Sequence, residues 1–191
     1  MKPQFLVGAM MPGSGQTLVA LGLMRALRQR NLRVQSFKCG PELADLRYHA
    51  LAADREPVSL DTWMGSRSHL QTVYNRYGEK ADVCVVEGRA GLFDGFRKTQ
   101  GSSAEMARLM KIPVVMVVSA RNAGYSTAAM LYGFKHFNTE LKIAGVIFNQ
   151  VTSAAQYGFL GSKIHQNTYS LDSLAHIAAE YIIHVGNLLH G

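Results

Sequence analysis

Apolar residues in this chain come in short runs, each followed by a stretch where they recur every three or four positions. The runs are residues 4–9 (QFLVGA), 32–37 (LRVQSF), 81–86 (ADVCVV), 113–118 (PVVMVV) and 143–148 (IAGVIF). They are too short for buried helices and rich in Val, Ile and aromatics, so the pattern predicts five buried strands. Residues 17–29 space Leu18, Leu21, Met24 and Leu27 three apart, which makes one face of a helix. A second helix is predicted over 102–111, where Ser102 stands three before Glu105 as a capping box requires. A third is predicted over 123–137. Strands apolar on both sides and alternating with helices predict an α/β fold, a parallel sheet covered by helices on both faces.

Two segments fit the pattern less well. Residues 54–80 are irregular, carry the only tryptophan, Trp63, and read as an insertion between strands two and three with a helix near 68–77. Residues 153–169 are polar and contain glycine, so they read as loop, and 171–183 as a last helix. One domain over 1–191 is expected, with 152–191 as a loop and C-terminal helix. In open parallel sheets ligands sit beyond the carboxyl ends of the strands. The chemistry is therefore expected in the residues that follow each strand.

Composition narrows the classes. With 48% hydrophobic and 17% charged residues over 191, the chain can build a core, which excludes disorder. No apolar run approaches the roughly 20 residues that span a bilayer, and the N-terminus lacks a signal-peptide core. Cys39 and Cys84 are too few for a disulfide framework, and a reducing cytoplasm is expected. Neither has a base near it in sequence, so no nucleophile is expected there. The net charge of +7 attracts anions. Its basic residues are dispersed, with no basic run among aromatics, so neither nucleic acid nor membrane is expected as a partner. A small anionic ligand is.

After the first strand comes Gly13-Ser14-Gly15-Gln16-Thr17. A phosphate loop, G-x-x-x-x-G-K-[ST], turns backbone N–H groups round phosphate, adds a lysine charge and holds Mg²⁺ on the hydroxyl. Gly15 and Thr17 fit, but Met10 stands for the first glycine and Gln16 for the lysine. After the second strand, Lys38 is a candidate phosphate contact, and Glu42 and Asp45 are candidate Mg²⁺ ligands, since hard cations take oxygen donors. After the third, Glu87 ends a buried strand, where a carboxylate is costly unless paired or metal-bound. Asp94 follows it in a glycine-rich loop. After the fifth, Asn149 is a candidate to pair with an adenine edge. Of seven histidines none has zinc spacing, and His49, one helical turn after Asp45, is expected at the surface.

Six blocks carry a resemblance. They are 21–27 (LGLMRAL), 34–41 (VQSFKCGP), 60–64 (LDTWM), 86–88 with 91–95 (VEG, GLFDG), 103–109 (SAEMARL) and 145–149 (GVIFN). In this order they are similar to the synthetase domain of the cobyrinic acid a,c-diamide synthase family, within the dethiobiotin-synthetase-like P-loop proteins. The resemblance implies a P-loop fold and ATP-dependent amidation of the a and c acetates of a corrin. ATP would phosphorylate a carboxylate, and ammonia from glutamine would displace the phosphate. It further implies ATP and Mg²⁺ as cofactors and an anionic tetrapyrrole as substrate. Gly13, Ser14, Gly15, Gln16, Thr17 and Asn149 would hold the nucleotide. Thr17, Glu42, Asp45 and Glu87 would hold the metal, and Lys38, Asp45, Glu87 and Asp94 would act in catalysis.

The chain departs from the family in three places. Gln16 replaces the loop lysine, Ser119 stands where Asp is common, and the glutamine amidotransferase domain with its Cys–His–Glu triad is expected to be absent. A separate glutaminase subunit is then implied, and a homodimer is usual for the architecture. Arg89, where relatives are apolar, is a candidate compensating charge. The competing readings are a catalytically degenerate scaffold that binds nucleotide or tetrapyrrole, and a dethiobiotin-synthetase-like enzyme that activates a carbamate.

Overall fold

The computed structural model describes residues 2–121 and 123–167. Its elements in chain order are β1 (Gln4–Ala9), α1 (Gln16–Gln29), β2 (Val34–Cys39), α2 (Leu43–Ala53), β3 (Val58–Leu60), α3 (Arg67–Gly78), β4 (Val83–Glu87), α4 (Ser103–Met110), β5 (Val114–Ser119), α5 (Ser126–Phe137), β6 (Ile143–Asn149) and α6 (Ala154–Asn167). The strands form one six-stranded sheet in the order β3-β2-β4-β1-β5-β6, and every pairing is parallel.

Alternate residues of each strand go to opposite faces. On one face Val7, Val85, Val115 and Val117 pack with Val19, Ala20 and Met24 of α1 and Ala53 of α2. On the other, Leu6, Cys84, Val86, Val114 and Met116 pack with residues of α3, α4, α5 and α6. Burial on both faces is why these strands are apolar throughout. Side-chain caps start α3, at Ser66, and α4, at Ser102. Ser102 Oγ accepts from Glu105 N–H at 3.2 Å, and Glu105 Oε2 accepts from the Gly101 N–H at 2.7 Å. α1 starts instead from Gly15, at a φ of 81° that glycine adopts freely.

Two expectations are corrected, and one helix has no counterpart in the sequence pattern. The sheet has a sixth strand, β3, at the edge beside β2. The 54–80 segment, expected as an insertion with a helix near 68–77, does carry that helix as α3, but it also supplies β3, whose three residues are too few to show a period. The segment after Pro41 is the helix α2, whose apolar Leu43, Tyr48 and Leu51 face outward and hide its amphipathic pattern. Residues 153–169 contain α6 where loop was expected. The helix expected over 171–183 lies outside the described residues. No helix among the described residues is long and apolar enough to cross a membrane.

Candidate functional site

Because all strands run the same way, their last residues share one rim. β2 lies next to β4 with Lys38 opposite Glu87, and β4 lies next to β1 with Glu87 opposite Val7. The β1–α1 loop therefore arrives directly over Glu87. Thr17 Oγ1, in the first turn of α1, donates to Glu87 Oε1 at 2.6 Å. The buried Lys38 ammonium donates to the same oxygen at 3.1 Å and to the Gly88 carbonyl at 2.9 Å. It also lies 3.0 Å from Glu42 and 3.4 Å from Asp45. Three carboxylates, from the N-cap of α2, its first turn and the end of β4, thus enclose one internal cation.

His49 of α2 also belongs to this junction. The sequence reading put it at the surface; the structure buries it completely, with Nε2 2.5 Å from Glu87 Oε2. An ionised carboxylate only accepts, so Nε2 carries the proton of this contact. The signal was its spacing of four from Asp45, which needs α2 to be a helix before it means anything. Burial alone would raise the Glu87 carboxyl, but the His49 hydrogen bond, the Lys38 charge and the Thr17 hydroxyl outweigh burial and hold it below the usual carboxylate range. Burial would likewise lower Lys38, and Glu87 and Glu42 outweigh it, so the ammonium is held above its ordinary value. Cys39 next to it is pushed up to about 12, chiefly by burial, which leaves no thiolate for nucleophilic work.

A cavity of about 340 Å³ opens above this junction, lined by the loop from Met11 to Thr17 and by Lys38, Glu42, Asp45, Glu87 and Arg89 among others. A second of similar size lies on the other side of the loop, bounded by Ser119, Arg121, Thr127 and Gln150. Gly13 and Gly15 both have positive φ, and α1 begins with N–H groups free to face an anion, the arrangement that suits phosphate. Gln16 is buried at the lysine position, and its Oε1 has no hydrogen-bond partner.

The structure therefore brings together Thr17, Lys38, Glu42, Asp45 and Glu87. It does not bring in Asp94, which is exposed and lines neither cavity. Asn149 also lines neither. Its Nδ2 donates to the Ser14 carbonyl at 2.9 Å, tying β6 to the underside of the loop. That contact is close because Gly15 has no Cβ; one there would lie 2.1 Å from Asn149 Nδ2. Gly15→Ala is expected to destabilise the chain by about 1–2 kcal/mol or more, from left-handed backbone strain plus the clash. Adding Asn149→Ala should restore the steric part. Thermal melting of the two variants checks this, and a Gly15→Ala variant that melts like the wild type would refute the close approach.

Among the described residues no group of three or more His, Cys, Asp or Glu is arranged to hold a metal by itself. Mg²⁺ seldom uses such a cage; it takes one or two protein oxygens and completes its shell with water and phosphate. Thr17 Oγ1 and Glu87 Oε1, side by side at the start of α1, are oxygens of that kind, and the residues fit on those terms.

Residues 6–179 match the CobQ/CobB/MinD/ParA nucleotide binding domain. Over 168 residues the chain is 38% identical to a cobyrinate a,c-diamide synthase of Listeria monocytogenes, covering 86% of this chain and 37% of that protein. Over 157 residues it is 39% identical to a hydrogenobyrinate a,c-diamide synthase of Brucella anthropi, covering 82% and 36%. The chain thus spans little more than a third of these relatives. The fold resembles FtsY of Mycoplasma mycoides, with a TM-score of 0.61 at 10% identity over 89% of this chain and 58% of that one. FtsY of Physcomitrella patens chloroplasts gives 0.58 at 14% identity over 88% and 56%.

Proposed function

Since the chain belongs to the CobQ/CobB/MinD/ParA nucleotide binding domain family, we propose that it is the synthetase part of an ATP-dependent amide ligase acting on a corrin or related tetrapyrrole. One observation carries the reading: the junction of Thr17, Lys38 and Glu87 beneath a phosphate-type loop. The names of the relatives supply the substrate class, and the net charge of +7 suits a polyanionic macrocycle. The exposed Trp63 and Phe96, edge to face at 5.0 Å, stand on the loops that follow β3 and β4. Arg97 and Lys98 adjoin them, so the rim offers an apolar platform flanked by cations.

Each side chain has work to do in this reading. Backbone N–H groups from Gly13 to Thr17 bind the phosphates. Thr17 and Glu87, with Glu42 and Asp45 nearby, would hold Mg²⁺, which when bound neutralises charge on the transferring phosphoryl group. His49 fixes the Glu87 carboxylate from behind. Lys38 supplies a fixed positive charge where the acceptor carboxylate and the terminal phosphate meet. The carboxylate oxygen takes the phosphoryl group and ADP leaves; ammonia then attacks the acyl carbon, phosphate departs, and the nitrogen sheds a proton. Asp94, outside the cavity, is proposed to act from the loop after β4 on the substrate rather than on the metal. Asn149 is proposed to act on the nucleotide through the loop it holds. The ammonia source is proposed to be a glutaminase partner, and the active unit a homodimer in the cytoplasm.

The test supplies ammonia directly. With Mg·ATP, ammonium and cobyrinate or hydrogenobyrinate, the protein is expected to give mono- and diamide by mass spectrometry. The macrocycle alone is expected to quench the fluorescence of the single tryptophan, Trp63. No amide together with no binding of Mg·ATP by calorimetry refutes the ligase reading; nucleotide binding without amide would favour the scaffold.

A further inference from the structure

The loop lacks the charge that a phosphate loop ordinarily brings. Gln16 offers a neutral amide with an unpartnered oxygen, which attracts no phosphate. Among the described residues two cations line the cavity, Lys38 and Arg89. Lys38 is committed to three carboxylates and a carbonyl. Arg89 is held differently. Its backbone is pinned on both sides by Ser103 Oγ, which accepts from the Arg89 N–H at 2.8 Å and donates to its carbonyl at 3.0 Å. Its side chain is less engaged. Nε is buried with no hydrogen-bond partner, and the nearest carboxylate, Glu42, is 3.6 Å away and itself partly exposed. The guanidinium stem lies over Gly40, where a Cβ would be 3.0 Å from Arg89 Cδ, so the absence of a side chain at 40 gives it passage.

We propose that Arg89 binds the terminal phosphate of the nucleotide, supplying from the loop after β4 the charge that a lysine at position 16 would supply from the β1–α1 loop. The proposal rests on the nucleotide reading above and names the residue that completes it. A guanidinium is always charged and its planar fork matches two phosphate oxygens. Leaving Glu42 costs little, since a half-exposed pair at this separation is weak. With Arg89 the cavity holds two cations against Glu42, Asp45 and Glu87; without it one cation would face three carboxylates and an incoming polyanion.

Calorimetry with Mg·ATP and Mg·ADP, in the absence of any macrocycle, tests this. Arg89→Ala is expected to weaken Mg·ATP by roughly ten- to a hundredfold and Mg·ADP by less than about threefold. Arg89→Lys should keep part of the ATP affinity. Gln16→Lys added to Arg89→Ala should restore it, and melting curves for each variant establish that it folds. Unchanged ATP affinity in Arg89→Ala overturns the proposal. So does an equal loss for ATP and ADP that Gln16→Lys does not repair, which would make Arg89 a support of the loop. So does a loss confined to the macrocycle, which would give the contact to the acceptor carboxylate. Wild type that binds neither nucleotide fails the reading on which the proposal rests.

Discussion

Glu87→Gln is expected to lower nucleotide-dependent turnover on the order of a thousandfold, the scale of removing a preorganised charge from a phosphoryl-transfer site. The substitution keeps the volume, so the loop should stay in place and the loss should be electrostatic. Glu87 is fully buried, and three groups are arranged around its charge: the Thr17 hydroxyl, the Lys38 ammonium and the His49 Nε2–H. The new amide would point an N–H₂ at one of these donors. Removing one partner of such a buried cluster costs about 3 kcal/mol, which for a chain of this size is a fall in Tm of about 10 °C. The pH dependence follows from the direction of the shift. A carboxyl held below its ordinary value stabilises the fold above the unfolded pKa, and that contribution is lost as pH falls through the folded one. Wild type should therefore lose stability between about pH 5 and about pH 2 more steeply than Glu87→Gln. Denaturant melts across that range measure it. Parallel curves would show that Glu87 is not the charge the cluster is built around.

The site was legible in the sequence where one rule sufficed. In a parallel sheet, polar residues directly after apolar runs must share an edge, and that rule places Thr17, Lys38, Glu42, Asp45 and Glu87 on one rim. It could not pair them. Thr17 meets Glu87 across 70 positions because β4 lies between β2 and β1, and strand order leaves no trace in local periodicity. The same rule overreached at Asp94. Seven residues beyond the end of β4, the chain has turned out of the cavity, with the Asp94 N–H bonded to the Gly91 carbonyl at 3.0 Å. His49 was misplaced for a different reason. α2 carries its large apolar residues outward and turns His49 and Ala53 inward, so the usual inference from hydrophobicity to burial runs backwards along it. The edge strand β3 and the glycine-bearing α6 escaped for want of length and of propensity.

Lys38→Met tests the opposite pole of the cluster. Methionine fills a similar space without charge, so Glu42, Asp45 and Glu87 would face one another with no cation between them, Glu87 in full burial. Leaving a buried charge uncompensated costs about 3–5 kcal/mol. The sign of the pH response should then reverse relative to wild type. Carboxyls crowded without a counter-ion have raised folded pKa values, which stabilise the fold in acid and cease to do so as pH rises through them. Lys38→Met should accordingly gain on wild type between about pH 7 and about pH 5. Mg²⁺ supplies a second readout, because a cation site emptied of its ammonium has oxygen donors to offer. Millimolar Mg²⁺ without nucleotide should raise the Tm of Lys38→Met by several degrees and leave wild type nearly unmoved, since in wild type the ammonium already neutralises those oxygens. A Lys38→Met protein that keeps the wild-type pH slope and ignores Mg²⁺ would mean that the three carboxylates do not act as one site. The amidation chemistry would then need its metal held elsewhere on the rim.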